Sequence, residues 1–172
     1  AMKSAYQYDG TQVGQGSLYC LPKDLSCFAF AYNKDLFDEA VAAGIKFSDE
    51  YQVTDTYIIS VPTPYDKFSK VIDPCYVVSA VKSVMDVCVK GATVVIESTV
   101  SPGTIDKYVR PVIEHNGFII GKDINLVHCP ERIIPGNMVY ELLHNNRTIG
   151  ADDKAIGEKV AELYATFCQG QI

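Results

Sequence analysis

Short apolar runs alternate with helix-patterned stretches from about residue 34 to residue 172, and no other feature of the chain constrains its fold as strongly. The apolar runs cover residues 57–61, 92–96 and 124–128, with a fourth, shorter run at residues 147–150. Between them lie stretches with helical spacing. Residues 34–43 carry Leu36, Phe37, Ala40 and Val41 on one side, with Gly44 as a stop. Asp73 is placed as an N-cap with Pro74 at the first helical position. Val77, Val81, Val84 and Cys88 then follow at i, i+4, i+7 and i+11, and Gly91 ends the stretch. Ser101-Pro102 opens a helix through Ile105, Val109, Val112 and Ile113 that closes at Asn116-Gly117, and a short helix covers residues 138–143. Asp152-Asp153 caps a last helix with Ile156, Val160, Leu163, Tyr164 and Phe167 inside. Apolar strands of this length between helices predict a parallel sheet covered on both faces. Right-handed crossovers make that an α/β, doubly wound, Rossmann-like sheet.

The first 33 residues depart from this pattern, and the chain divides into an atypical or truncated N-terminal segment, 1–33, and an α/β domain, 34–172. A dinucleotide-binding unit opens with an apolar strand, a G-x-G-x-x-G turn and a helix. Val13-Gly14-Gln15-Gly16-Ser17-Leu18-Tyr19 has the first two glycines, has Tyr19 at the third, and follows no apolar strand. It reads as a degraded phosphate loop or as a flexible turn. Residues 27–32 fit strand or helix equally.

The chain has 172 residues, 48% of them hydrophobic, enough for one domain with a real core. Its net charge of -6 argues against a nucleic-acid partner, because such proteins carry a basic face. No apolar run approaches the ~18 residues of a membrane span, and no signal peptide is visible; Ala1-Met2 reads as a remnant before a native start. The six cysteines form no C-x-x-C pair, and Cys75 and Cys88 read as buried reduced thiols, which fits a cytoplasmic protein. His115, His128 and His144 have no ligand spacing, so no metal is expected.

In doubly wound sheets ligands sit beyond the carboxyl ends of the strands. Three strands here end in Pro62-Thr63-Pro64, Glu97-Ser98-Thr99 and Cys129-Pro130-Glu131, so these turns converge on one edge. Thr63 between two prolines is either a rigid exit from the sheet or a hydroxyl held against a cofactor. Ser101 can cap the following helix, which leaves Ser98 and Thr99 for a ligand or a water. Glu131 is a general base if its surroundings tune it, or else a cap or a surface partner of Arg132.

Taken in order, Val61-Pro62-Thr63-Pro64, Glu97-Ser98-Thr99-Val100-Ser101-Pro102-Gly103-Thr104, His128-Cys129-Pro130-Glu131-Arg132-Ile133-Ile134-Pro135-Gly136-Asn137 and Asn145-Asn146-Arg147-Thr148-Ile149-Gly150 resemble the UDP-glucose/GDP-mannose dehydrogenase family over residues 34–172. The Cys-Pro-Glu-Arg form is similar to its UDP-N-acetylmannosamine branch; UDP-glucose and UDP-N-acetylglucosamine dehydrogenases are the alternatives. The resemblance implies NAD as cofactor, a UDP-sugar substrate, and a two-step oxidation of the sugar 6-hydroxyl through a cysteine-bound thioester. Without the rest of the family's chain, apolar surface around Leu163, Tyr164 and Phe167 of the last helix is expected to be exposed and to form a homo-oligomer. It makes Thr63 and Thr99 cofactor-binding, Thr99 and Glu131 the pair that orders and activates the hydrolytic water, and Arg132 and Ile133 the main chain that holds the nucleotide sugar. The family's catalytic cysteine, lysine and asparagine have no counterpart here, and Cys129 stands in the wrong motif to replace the first. The resemblance therefore implies that this chain alone is inactive. A non-catalytic nucleotide-binding or assembly module is the reading from another class.

Overall fold

A computed structural model describes residues 7–8, 17–18, 34–46, 48–133 and 136–172. The chain divides into two compact units, Ala1–Ser48 and Asp49–Ile172. In the first, β1 (Gln7–Tyr8) pairs antiparallel with β2 (Ser17–Leu18), and α1 spans Lys34–Ala42. Gly44, at φ 105°, ends α1: its N–H bonds the Val41 carbonyl while Ile45 reaches back to Ala40. That pair of bonds needs a left-handed residue, which only glycine adopts cheaply. The glycines at 14 and 16 and the ambiguous run at 27–32 lie outside the described residues.

The second unit is built on a four-stranded sheet. Its strands are β3 (Thr56–Ile59), β6 (Thr93–Ile96), β7 (Asn125–His128) and β8 (Gly150–Ala151), neighbours in that order. β3, β6 and β7 run parallel, with Ile58 opposite Val95 and Val95 opposite Val127. A small antiparallel hairpin of β4 (Tyr65–Asp66) and β5 (Val71–Ile72) follows β3. It escaped the periodicity argument because two-residue strands have no period, and its turn is held by Asp66 bonds to Phe68 N–H and the Ser69 hydroxyl.

Helices cover both faces, as the apolar runs predict. On one face Val94, Ile96, Tyr57, Ile59 and Leu126 pack with Val77, Val81 and Val84 of α2 (Cys75–Met85) and with Val109 and Ile113. On the other, Val95, Val127 and Cys129 meet Val160 and Tyr164 of α5 (Lys154–Ala165). Burial of these side chains contributes about 25 cal/mol for each Å² of apolar surface removed from water and holds the layers together. Asp153 caps α5 by accepting from Ala155 N–H at 2.7 Å.

Several expectations are corrected. The last strand is not parallel and begins later than residue 147: β8 runs antiparallel to β7, pairing Gly150 with His128. A parallel return needs a helix packed on the sheet. The intervening α4 (Met138–His144) buries none of its residues, so the chain turns back alongside β7 instead. α2 starts one residue late, with Pro74 at the cap position and Asp73 accepting from Cys75 N–H at 2.9 Å. That start turns Cys75 outward, so it is exposed, whereas Cys88 is buried as expected. Ser101 caps nothing with its side chain. The helix opens later as a wide turn, Ile105–Val109, that runs into α3 (Arg110–His115). Pro111, with no N–H for the α-ladder, accounts for the widening. Leu163 and Phe167 of the last helical stretch are partly exposed rather than inside, because only the Val160–Tyr164 side of α5 meets the sheet.

Candidate functional site

The three polar strand ends do converge. Register alone brings them together: Ile59 lies beside Ile96, and Ile96 beside His128, so the chain leaves all three parallel strands on the same edge. Hydrogen bonds then stitch the exits to one another. The buried Ser98 hydroxyl accepts from Val61 N–H at 2.7 Å and donates to the Val61 carbonyl at 2.8 Å. Ser98 is thus used up in pinning the β3 exit and is not left for a ligand. Thr63, half-buried, sits just beyond that pin, between prolines that keep the loop from rejoining the sheet.

The β6 and β7 exits are joined through Glu131. Its N–H donates to the Glu97 carbonyl at 3.0 Å, and its carbonyl accepts from the exposed Thr99 hydroxyl at 2.7 Å. The peptide groups on both sides of Glu131 are therefore fixed by the turn that carries Thr99. The structure brings the two predicted residues together, but through the threonine hydroxyl and the glutamate main chain. The Glu131 carboxylate itself accepts from Ile133 N–H. Burial pushes the Glu131 carboxyl above the usual range, the Glu97 carboxylate adds to the rise, and Arg147 opposes it. Arg132 is exposed, and its carbonyl accepts from Asn145 Nδ2 at 3.1 Å. The main chain of Arg132 and Ile133 is thus engaged with Asn145 and Glu131.

Behind Glu131 lies a group that sequence reasoning missed. The Arg147 side chain is 6% exposed and bonds Glu97 Oε1 at 3.1 Å. Its guanidinium lies 4.3 Å from the centre of the Tyr164 ring, and the Tyr164 hydroxyl donates to the same Glu97 oxygen at 3.3 Å. Burial, reinforced by Glu97, pushes the Tyr164 hydroxyl well up, so it stays protonated and remains a donor. A signal was present: a glutamate directly after Val-Val-Ile must leave a buried strand end, and a carboxylate there needs a cation. Nothing in the spacing named Arg147 as that cation.

Two further groups end β7. Cys129 is fully buried, and burial raises its thiol despite Arg147 nearby. It is a packed thiol, not a nucleophile. His128 has a buried Nε2 with no hydrogen-bond partner among the described residues, and burial lowers its pKa. A hollow of about 440 Å³ runs along the outer edge of β3, lined by Tyr51, Thr54, Thr56, Ile58 and Val61 among others. Thr99 and Glu131 do not line it.

Comparison with known proteins follows the same residues. The profile of the UDP-glucose/GDP-mannose dehydrogenase family, NAD binding domain, matches residues 31–168. A UDP-N-acetyl-D-mannosamine dehydrogenase of Methanococcus aeolicus is 36% identical over 140 residues, which is 80% of this chain and 31% of the relative. The enzyme of that name from Escherichia coli K12 is 36% identical over 124 residues, 68% of this chain and 29% of the relative. The native structure of a UDP-N-acetyl-mannosamine dehydrogenase from Staphylococcus aureus superposes with a TM-score of 0.73 at 43% identity, covering 80% of this chain and 34% of that one. A GDP-mannose dehydrogenase from Pseudomonas aeruginosa superposes at 0.60 with 26% identity, over 69% of this chain and 28% of that one. The chain thus spans about a third of the length of the relatives it matches. With its motifs gathered on one carboxyl edge and the profile matched over most of its length, the chain belongs to the UDP-glucose/GDP-mannose dehydrogenase family, by way of that family's NAD-binding domain.

Proposed function

We propose that this chain is the cofactor-side portion of an enzyme that oxidises UDP-N-acetylmannosamine at its 6-hydroxyl to UDP-N-acetylmannosaminuronate, with NAD as oxidant, for surface polysaccharide synthesis. The observation that carries the reading is the Thr99–Glu131 junction at the carboxyl edge, where one half-buried carboxylate with raised proton affinity stands beside an exposed hydroxyl turn. A carboxylate whose proton affinity is raised is a better proton acceptor, as a general base requires.

The groups on this edge fit part of a dinucleotide. Thr63 and Thr99 supply neutral hydroxyls on rigid turns, the kind of partner a ribose or an amide takes. NAD, when bound, supplies the hydride acceptor. Thr99 and Glu131 act on the other half of the chemistry. With one carboxylate oxygen oriented by Ile133 N–H, the second can accept a proton from a water that attacks a thioester. With the Arg132 carbonyl and the Ile133 N–H bonded within the chain, Arg132 and Ile133 hold the nucleotide sugar through the Arg132 N–H and the Ile133 carbonyl. In this reading residues 34–172 form the NAD-binding-type domain behind an N-terminal segment, 1–33, and the nucleophilic cysteine comes from sequence not present here. The unpaired thiols of Cys75, Cys88, Cys129 and Cys168 favour a reducing cytoplasm. Among the described residues no helix is long and apolar enough to cross a membrane. Exposed Met138, Val139, Tyr140, Leu163 and Phe167 favour a homo-oligomer.

Calorimetric titration tests the reading. The chain should bind UDP-N-acetylmannosamine or NAD, weakly, and show no NADH production by itself. Binding of neither would favour an assembly module. Tighter binding of UDP-glucose or UDP-N-acetylglucosamine would move the substrate to those sugars.

A further inference from the structure

The cluster behind Glu131 is tied to more elements than a strand end requires. Arg147 leads into β8, with its own N–H donating to the Gln171 carbonyl at 2.9 Å. Its guanidinium is held from α5 by the Tyr164 ring at 4.3 Å, with the Phe167 ring at 5.7 Å. From the end of β7 the Cys129 sulfur lies 3.9 Å from the same nitrogen that bonds Glu97. Glu97 in turn is fixed at both ends: its N–H donates to Ile59 on β3 at 2.9 Å, and its carboxylate takes Arg147 and Tyr164. The Glu97 carbonyl is the acceptor for Glu131 N–H. A continuous path of bonds therefore runs from α5 and the tail, through Arg147 and Glu97, to the peptide group of Glu131.

We propose that Glu97 and Arg147 are positioning residues for Glu131: Arg147, clamped on Tyr164, fixes the Glu97 side chain and carbonyl, and the pair presents the Glu131 carboxyl beside a fixed anion and a fixed cation. The proposal rests on the reading of Glu131 as the base. The physical reason is that opposite charges held behind a titrating carboxyl act on it in opposite senses, and a buried guanidinium held over a ring keeps those distances constant. The charged groups acting on Glu131 come from every side of the turn: Glu97 from the end of β6, Arg147 from the approach to β8, and Glu141 from α4. Arg132 is its neighbour in the chain. Glu97 and Glu141 raise its proton affinity, and Arg147 lowers it.

The test is a carbon-detected NMR titration of the Glu131 carboxyl in this chain, assigned with Glu131→Gln. Glu97→Gln should move the midpoint down, because a like charge is lost. Arg147→Met should move it up, because the cation is lost, and Arg147→Lys should restore it toward the parent. If Arg147→Met does not fold, Arg147→Met on the Glu97→Gln background replaces it, since that protein buries no unpaired charge. Its midpoint should lie above that of Glu97→Gln alone. A clamp with only a structural role would loosen the turn in every variant and move Glu131 the same way each time, toward an ordinary exposed carboxyl. Shifts of one sign, or none, overturn the proposal. The base assignment fails separately: a full-length relative with Glu131→Gln that hydrolyses its thioester at the parental rate would remove that role while leaving the titration result standing.

Discussion

The two seams that close this carboxyl edge are made of different materials. Between β3 and β6 the seam is neutral: the buried Ser98 hydroxyl bonds Val61 twice, beside main-chain bonds from Glu97 and Ser98 to Ile59. Between β6 and β7 it is charged: Glu97, Arg147 and Glu131 lie together, with Tyr164 and Thr99 completing their bonds. A neutral seam holds geometry without responding to pH. A charged seam holds geometry and also sets the proton affinity of whatever stands in it. Under the proposed function, the chemistry falls at the second seam, and the first only holds geometry.

The largest effect expected from this contrast is on turnover. In a full-length relative, Glu131→Gln keeps the shape of the side chain and removes its basicity. Hydrolysis should fall roughly 10²–10⁴-fold, the usual worth of a positioned general base, with acyl-enzyme accumulating as a mass increase on the catalytic cysteine. Turnover at the parental rate would erase the distinction between the seams. The next effect is on stability. Arg147→Met leaves the half-buried Glu97 without its cation, and the loss should stay below the roughly 3–5 kcal/mol of a fully buried pair. The Arg147→Met, Glu97→Gln double variant should recover much of that loss in urea unfolding at neutral pH. A single variant as stable as the parent would make Arg147 ornamental.

A smaller effect sharpens the other side. Ser98→Ala removes both bonds to Val61 and leaves its half-buried main-chain groups without that partner, which costs about 1 kcal/mol. The urea midpoint should drop, while the Glu131 titration midpoint stays where it was. Movement of Glu131 in Ser98→Ala would mean that the two seams are one cooperative unit.

What was legible beforehand divides along the same line. Period and caps locate elements whose side chains alternate between core and solvent, and so β3, β6, β7 and α5 are where the apolar runs put them, while α2 stops at Met85, short of the expected end at Gly91. Gly44 and Gly117 end helices as expected, because a left-handed residue has few other candidates. The convergence of Thr63, Thr99 and Glu131 on one edge follows from parallel strands alone. The antiparallel β8 was not legible, because it depends on α4 failing to pack, a tertiary outcome. The Glu97–Arg147 pair spans 50 residues and has no local signature. Ser98 and Thr99 are neighbours of the same type, and only the pleat decides that one is buried in the seam and the other exposed at the edge.

The smallest effect concerns His128, which ends β7 on the same edge and belongs to neither seam. Among the described residues its buried Nε2 has no partner, so protonation in the folded chain would place a charge on a poorly solvated ring. Burial lowers its pKa below the ordinary value of 6.5, while a bond to the Ser98 main chain works against the drop. The sign follows from linkage. Between the folded and unfolded pKa the unfolded chain binds the proton and the folded chain does not, so stability rises with pH. The contribution of His128 is therefore complete above about pH 6.5 and is lost progressively as the pH falls below it. Glu131 works in the opposite sense: its raised pKa makes the folded chain bind more protons than the unfolded chain above 4.5, so its share declines as pH rises. A plain pH profile would mix the two, and the difference between parent and His128→Asn separates them. The urea midpoint of the parent should fall more steeply than that of the variant on going from about pH 7.5 to about pH 5.5, a window centred on the ordinary imidazole value. His115 and His144 are exposed and present in both proteins, so they drop out of the difference. Parallel profiles would mean that His128 finds a partner for its proton at this edge, and the neutral, pH-indifferent character given to the Ser98 seam would then have to extend to its neighbour.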